Sequence, residues 1–150
     1  SLNKVKTTGA AIAEVVKANI DRRSERWVPV WSPAGDWILH VDDGAKLISP
    51  DGKTTRALRT GIATAYAFSS DGQTVYGIRP SGAGRAELFS MSVDGGLEKV
   101  IGALEPGLAP ATVLSPSMRL SLGPDGKSVT VSKSTSSLWL AEGLAAVLRK

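Results

Sequence analysis

The 150-residue chain has no cysteine and a single histidine. The first absence excludes a disulfide framework and a thiolate metal site, and leaves the compartment unreadable from redox chemistry. With His40 as the sole histidine, a His-rich zinc site cannot form within one chain. A Ser–His–Asp triad would have to use that residue, and no serine stands in Gly-x-Ser-x-Gly. No apolar run approaches the length of a membrane span. The start Ser1-Leu-Asn-Lys4 lacks the apolar core of a signal peptide, although an upstream targeting segment removed earlier would leave no trace. The formal net charge of +4 is spread along the chain. No Lys/Arg stripe is interleaved with aromatics, so nucleic acid is not an expected partner. Nothing in the sequence asks for a cofactor.

What is abundant is turn chemistry. Sixteen glycines and eight prolines, with many Ser and Thr, suit a turn-rich β protein, and the length suits one domain with its own core. The organising stretch is Trp31-Ser-Pro-Ala-Gly-Asp-Trp37-Ile-Leu-His-Val41. It is rewritten as Phe68-Ser-Ser-Asp-Gly-Gln-Thr-Val-Tyr76 and as Leu122-Gly-Pro-Asp-Gly-Lys-Ser-Val-Thr-Val131. Two further turns, Ser49-Pro-Asp-Gly-Lys53 and Val93-Asp-Gly-Gly96, lie between the copies. Pro presets φ for a turn, Asp supplies a side-chain acceptor and Gly tolerates φ > 0. Such turns between apolar runs read as β-hairpins. Gly72 follows Gly35 by 37 residues and Gly126 follows Gly72 by 54, a loose period with its excess at Gly102 to Pro110. Two hairpins per repeat of this length form a four-stranded unit.

The pattern Trp31-Ser-Pro-x-Gly35-x-Trp37-Ile38, followed by Leu47-Ile-Ser-Pro-Asp-Gly-Lys53, resembles the TolB-like β-propeller repeat, a bacterial relative of the WD-type repeats. Ser137-Leu-Trp-Leu-Ala-Glu-Gly143 is similar to the terminal strand of such propellers where they follow a kinase or regulator domain. The resemblance covers about residues 27 to 143. It implies an all-β fold of propeller blades, each a four-stranded antiparallel meander, in an incomplete ring or as part of a larger propeller. It also implies a periplasmic or otherwise extracytoplasmic location, with the cytoplasm left open.

In chain order, residues 1–26 are expected to be remnant strands of a preceding blade and a linker. Ala10 to Val16 has helix-forming residues, yet the repeat phase makes Gly9 to Val16 a strand. Residues 27–62 form a blade with strands near Val28–Trp31, Trp37–Val41, Ala45–Ser49 and Thr55–Leu58. Residues 63–110 form a blade with longer loops and strands near Thr64–Ser69, Thr74–Arg79, Glu87–Val93 and Leu97–Ile101. Residues 111–150 form a partial blade and tail. Thr112 to Met118 is a strand or an insertion, strands follow at Leu120–Leu122, Ser128–Lys133 and Ser137–Ala141, and Leu144 to Leu148 is a short helix or frayed strand. About three blades cannot close a ring, so the array is a piece of a larger propeller or associates with copies of itself.

Candidate chemistry is sparse. His40 lies mid-strand and reads as structural. Asp42 and Asp43 could offer carboxylates to a cation, but an Asx-type hairpin turn accounts for them, and no metal is expected. Ser81-Gly-Ala-Gly-Arg85 lacks the Lys-Ser/Thr and following helix of a phosphate loop and reads as a hairpin loop. Trp27, Trp31, Trp37 and Trp139 read as blade packing, with Trp27 the most exposed. In a propeller, the loops joining second to third strands and those linking blades share the face where ligands bind. That face would carry Asp42, Asp43, Arg59, Arg79 and Arg85. The expected function is a noncatalytic binding or scaffold module within a larger bacterial protein or assembly, its partner a protein or a second copy. The alternatives are the propeller of a peptidase-associated hydrolase and a self-assembling partial propeller.

Overall fold

The structure, a computed structural model, describes residues 2–5, 13–17, 28–41, 44–60, 63, 65–82, 85–104, 118–126, 128–133 and 137–141. The described residues form thirteen strands and no helix, in two compact units, Ser1–Thr60 and Gly61–Lys150. The first unit holds β1 (Leu2–Val5), β2 (Ala13–Lys17), β3 (Val30–Trp31), β4 (Ile38–Val41), β5 (Gly44–Ile48) and β6 (Thr55–Thr60). β1 and β2 form an antiparallel pair, and β3-β4-β5-β6 form an antiparallel meander. The second unit holds β7 (Ala65–Phe68), β8 (Thr74–Pro80), β9 (Ala86–Ser92) and β10 (Lys99–Leu104), again a four-stranded antiparallel meander. It continues with β11 (Met118–Leu122), β12 (Val129–Lys133) and β13 (Ser137–Ala141), a three-stranded one. Repeat phase thus prevails over local helix preference at residues 13–17. Residues 6–12, the linker 18–27, the turn at Asp42 and Asp43, residues 105–117 and the tail 142–150 lie outside the described residues.

The turns hold the repeat together. Gly35, Gly52, Gly72, Gly95 and Gly126 all have positive φ, between 63° and 92°, the region that a side chain disfavours. In Ser49–Thr54 and Ser69–Thr74 one set of bonds recurs. The serine N–H donates to the threonine carbonyl at 2.9 and 2.8 Å, and the glycine N–H to the serine carbonyl at 2.8 and 3.0 Å. The serine hydroxyl donates to the aspartate Oδ1 at 2.6 and 2.5 Å and accepts from the threonine N–H at 2.9 Å in both. The same Oδ1 also accepts from the backbone N–H of Lys53 or Gln73. These bonds pull the Asp51 and Asp71 carboxyls below the usual carboxylate range, the serine hydroxyl contributing most. In Ser32–Trp37 the hydroxyl reaches Asp36 instead, at 2.5 Å, and accepts from the Trp37 N–H.

Both four-stranded sheets depart from the expected strand limits at the same place. The sequence ends the outermost strands at Leu58 and Ile101, whereas β6 runs to Thr60 and β10 to Leu104. In each, the register shifts at that residue, between the partners of Ala45 and Lys46 and between Val100 and Gly102. A bulge breaks the alternation that sequence reading follows and lets the strand continue with added twist.

In the second unit β7 and β11 run side by side, and a core fills the space between their sheets. Ala65, Ala67, Ile78, Ala86, Leu88 and Ile101 of one sheet meet Leu120, Val129 and Val131 of the other, with Tyr76, Leu104 and Leu122 packed at the margin. Alanines on β7 permit the close approach. The opposite face of β7–β10 is also buried, through Tyr66, Phe68, Val75, Phe89 and Met91. There Gly77, in the central strand, pairs with Tyr66 on one side and Phe89 on the other. The Phe89 ring lies over it and meets Tyr66 edge-on, centroids 6.2 Å apart at 88°.

A Cβ at Gly77 would stand 2.4 Å from the Phe89 ring, so Gly77→Ala should lower stability by about 1–3 kcal/mol. Chemical denaturation would show this, and the loss should shrink in a Phe89→Leu background. For the turns, Asp51 and Asp71 have folded pKa values below the unfolded one of about 4. Their contribution is therefore complete above that pH and fades as pH falls through the lowered folded values. Acid titration of the unfolding midpoint should show a shallower loss below about pH 4 in Asp51→Asn/Asp71→Asn than in the parent.

Candidate functional site

Each meander has two ends. Within the second unit, the Ser69–Thr74 turn and the Val93–Gly96 turn lie at one end of the sheet. The β8–β9 connection, the start of β7 and the end of β10 lie at the other, as the pairing of Ala65 with Ile78 and of Ala86 with both Pro80 and Leu104 requires. The connection is tied off by Ser81 N–H to the Arg85 carbonyl, 3.0 Å, and Arg85 N–H to the Gly82 carbonyl, 2.8 Å, with Gly82 at φ 84°.

Of the five candidate residues, Asp42 and Asp43 lie outside the described residues. Arg59 stands opposite Ala45 in the β5–β6 ladder. Arg79 and Arg85 flank the same connection but differ in setting. Arg85 is exposed at its base. Arg79 is the β8 partner of Glu87, and its side chain lies on the sheet face. Its Nε donates to Glu87 Oε1 at 2.5 Å and Nη1 to Glu98 Oε2, while the guanidinium rests 5.2 Å from the Phe89 ring centre. The Glu87 hydrogen bond foremost raises the Arg79 pKa above its ordinary value, against the opposing effect of burial. The sequence reading missed Glu87 and Glu98. A hairpin joining Arg79 to Glu87 across a short connection was the available signal, because it sets opposite charges face to face.

His40 is 3% exposed within β4. Trp31 is 47% exposed, Trp37 is half-buried with the Arg56 guanidinium 5.1 Å above its ring, and Trp27 lies outside the described residues. Among the described residues no group of three His, Cys, Asp or Glu could hold a metal ion, and no helix is long and apolar enough to cross a membrane.

No family model and no curated protein matches the chain. Solved structures do. TolB from Acinetobacter baumannii matches 76% of this chain with 28% of its own, at TM-score 0.56 and 20% identity. The sheets are blades of a β-propeller. A Bacteroides uniformis protein described as a 6-phosphogluconolactonase matches 93% of the chain with 43% of its own, at TM-score 0.56 and 13% identity. A chain of the nidogen/laminin complex matches 92% with 54% of its own, at 0.56 and 11%. The blades described here thus span about a quarter to a half of the propeller proteins they match, and the likeness is one of fold.

Arg79→Ala should leave Glu87 and Glu98 facing each other without their cation and lower stability by about 1 kcal/mol. Arg79→Met, which keeps the stem over Phe89, should recover part of that loss, and added salt should narrow the difference between parent and variants; urea titrations at low and high ionic strength would measure both.

Proposed function

We propose that this chain is a noncatalytic binding or scaffold module of TolB-like propeller blades, engaging a protein partner within a larger bacterial protein or assembly. The observation that carries the reading is the burial of His40, 3% exposed within β4. The only histidine is thereby withdrawn from solvent, which speaks against hydrolysis with His40 as the general base. The match to a chain of the nidogen/laminin complex supports a role in protein association, and the likeness to TolB supports an extracytoplasmic location. The binding face is the blade end opposite the Ser–Asp–Gly turns, where Arg85 is exposed and loops can vary without disturbing the ladder. The hydrolase reading draws its support from the lactonase-like neighbour. A second copy of the chain is the other partner to consider, since each blade buries its apolar face against a neighbour.

Incubation with lactone, ester and peptide substrates should give no turnover; hydrolysis that disappears in His40→Ala would overturn the noncatalytic reading. Light scattering across a concentration series separates self-association, in which mass rises with concentration, from engagement of a different protein. For a partner held at the loop face, Arg85→Ala should weaken binding by about 1–2 kcal/mol with the unfolding midpoint unchanged. Equal affinity of parent and variant would move the interface elsewhere.

A further inference from the structure

Besides Asp43-Gly44, Asp–Gly pairs occur in four hairpin turns, at Asp51-Gly52, Asp71-Gly72, Asp94-Gly95 and Asp125-Gly126. The turns demand them, since all four glycines have positive φ. The same pair is chemically labile, because glycine has no side chain to shield its nitrogen. The Gly nitrogen attacks the Asp Cγ, a C–N bond forms and a carboxyl C–O bond breaks. The departing oxygen leaves as water with the amide proton and the carboxyl proton. Water then reopens the succinimide, at Cγ to restore aspartate or at the main-chain carbonyl to leave isoaspartate, whose backbone runs through the former side chain. Water is released and taken up again, so no other reactant is needed.

Asp51 and Asp71 are solvent-exposed, so water has access to both. We propose that Ser49 and Ser69 guard the Asp51–Gly52 and Asp71–Gly72 bonds against this isomerisation. Three features of each turn oppose the reaction. The carboxylate Oδ1 is anchored by the serine hydroxyl, at 2.6 and 2.5 Å, and by the N–H two residues on, at 3.1 and 2.9 Å, so Cγ cannot swing towards the glycine nitrogen without breaking two bonds. The glycine N–H is itself engaged with the serine carbonyl, at 2.8 and 3.0 Å, which holds the proton that attack must shed. The anchored carboxyl stays ionised to lower pH than an ordinary one, and a carboxylate is a much poorer electrophile than the neutral acid. Removing the serine hydroxyl takes away one of the two bonds of the first constraint and the largest cause of the third.

The test ages the folded protein at mildly acidic pH and physiological temperature and locates isoaspartate by peptide mapping with mass spectrometry. Synthetic peptides of the two turns give the unguarded rate, and circular dichroism confirms that each variant is folded. Both peptides should isomerise several-fold faster than the same bonds in the parent. Ser49→Ala should raise isoaspartate several-fold at Asp51 and leave Asp71 unchanged, Ser69→Ala should do the reverse, and Ser49→Thr, which keeps a hydroxyl, should stay at the parent rate. Ser49→Ala ageing like the parent would overturn the proposal. So would acceleration at both sites by either single change, which would trace to general loosening, or Ser49→Thr ageing as fast as Ser49→Ala.

Discussion

The second unit depends on the burial of one sheet face against the next. A four-stranded meander cannot bury an apolar face by itself, and here Ile78, Leu88 and Ile101 are covered by Leu120, Val129 and Val131. The approach is governed by the small residues of β7, Ala65 and Ala67, which let β7 and β11 come together where larger side chains would hold them apart. Because the other face of the same blade is buried too, its inner strand is apolar along its whole length. Ala-Tyr-Ala-Phe in β7 is buried at every position, as is Ile-Leu-His-Val in β4. Burial on both faces abolishes the period-2 alternation that marks a half-buried strand.

That explains what the sequence could and could not reveal. Inner strands were legible through their turns, whose Ser-x-Asp-Gly chemistry forces a reversal, rather than through alternation. The outer strands were legible only as far as the bulges at Leu58 and Ile101, since an extra residue reverses the face that follows it. At the N-terminus the repeat phase pointed to a strand over Gly9 to Val16, which overlaps the described strand Ala13–Lys17, but its partner Leu2–Val5 carries no turn signature and went unread. In the candidate site, Arg79 and Arg85 were equally visible as basic residues beside a glycine-rich connection. Their partners depend on register, which a list of residue types does not contain.

The turns also show that a constraint can be kept while its residues change. At Gly123–Ser128 the backbone bonds are those of the other copies, with Gly123 N–H to the Ser128 carbonyl at 2.8 Å and Gly126 N–H to the Gly123 carbonyl at 3.0 Å. Glycine now stands where the other turns have serine. The hydroxyl comes from Ser128, five positions on, and donates to Asp125 Oδ1 at 2.8 Å. A Cβ at Gly123 would fall 2.3 Å from that hydroxyl, so the two solutions exclude each other in one turn. What persists is a hydroxyl donating to the turn aspartate, from whichever end of the turn supplies it.

The two ends of a blade are therefore under unequal constraint. At one end the aspartate, glycine and hydroxyl are interlocked by bonds that fix backbone and side chain together, and any replacement must be matched by a second. At the other, in the second blade, the β8–β9 connection is closed by main-chain bonds between Ser81, Gly82 and Arg85, which ask little of the side chains. Side chains of strand residues near this end are drawn onto the sheet face by pairing, as Arg79 is by Glu87 and Glu98. Arg85, at the base of the connection, lies outside the ladder and is exposed. Strand register thus divides two arginines six positions apart into one tied into the blade by ion pairs and one left exposed to solvent.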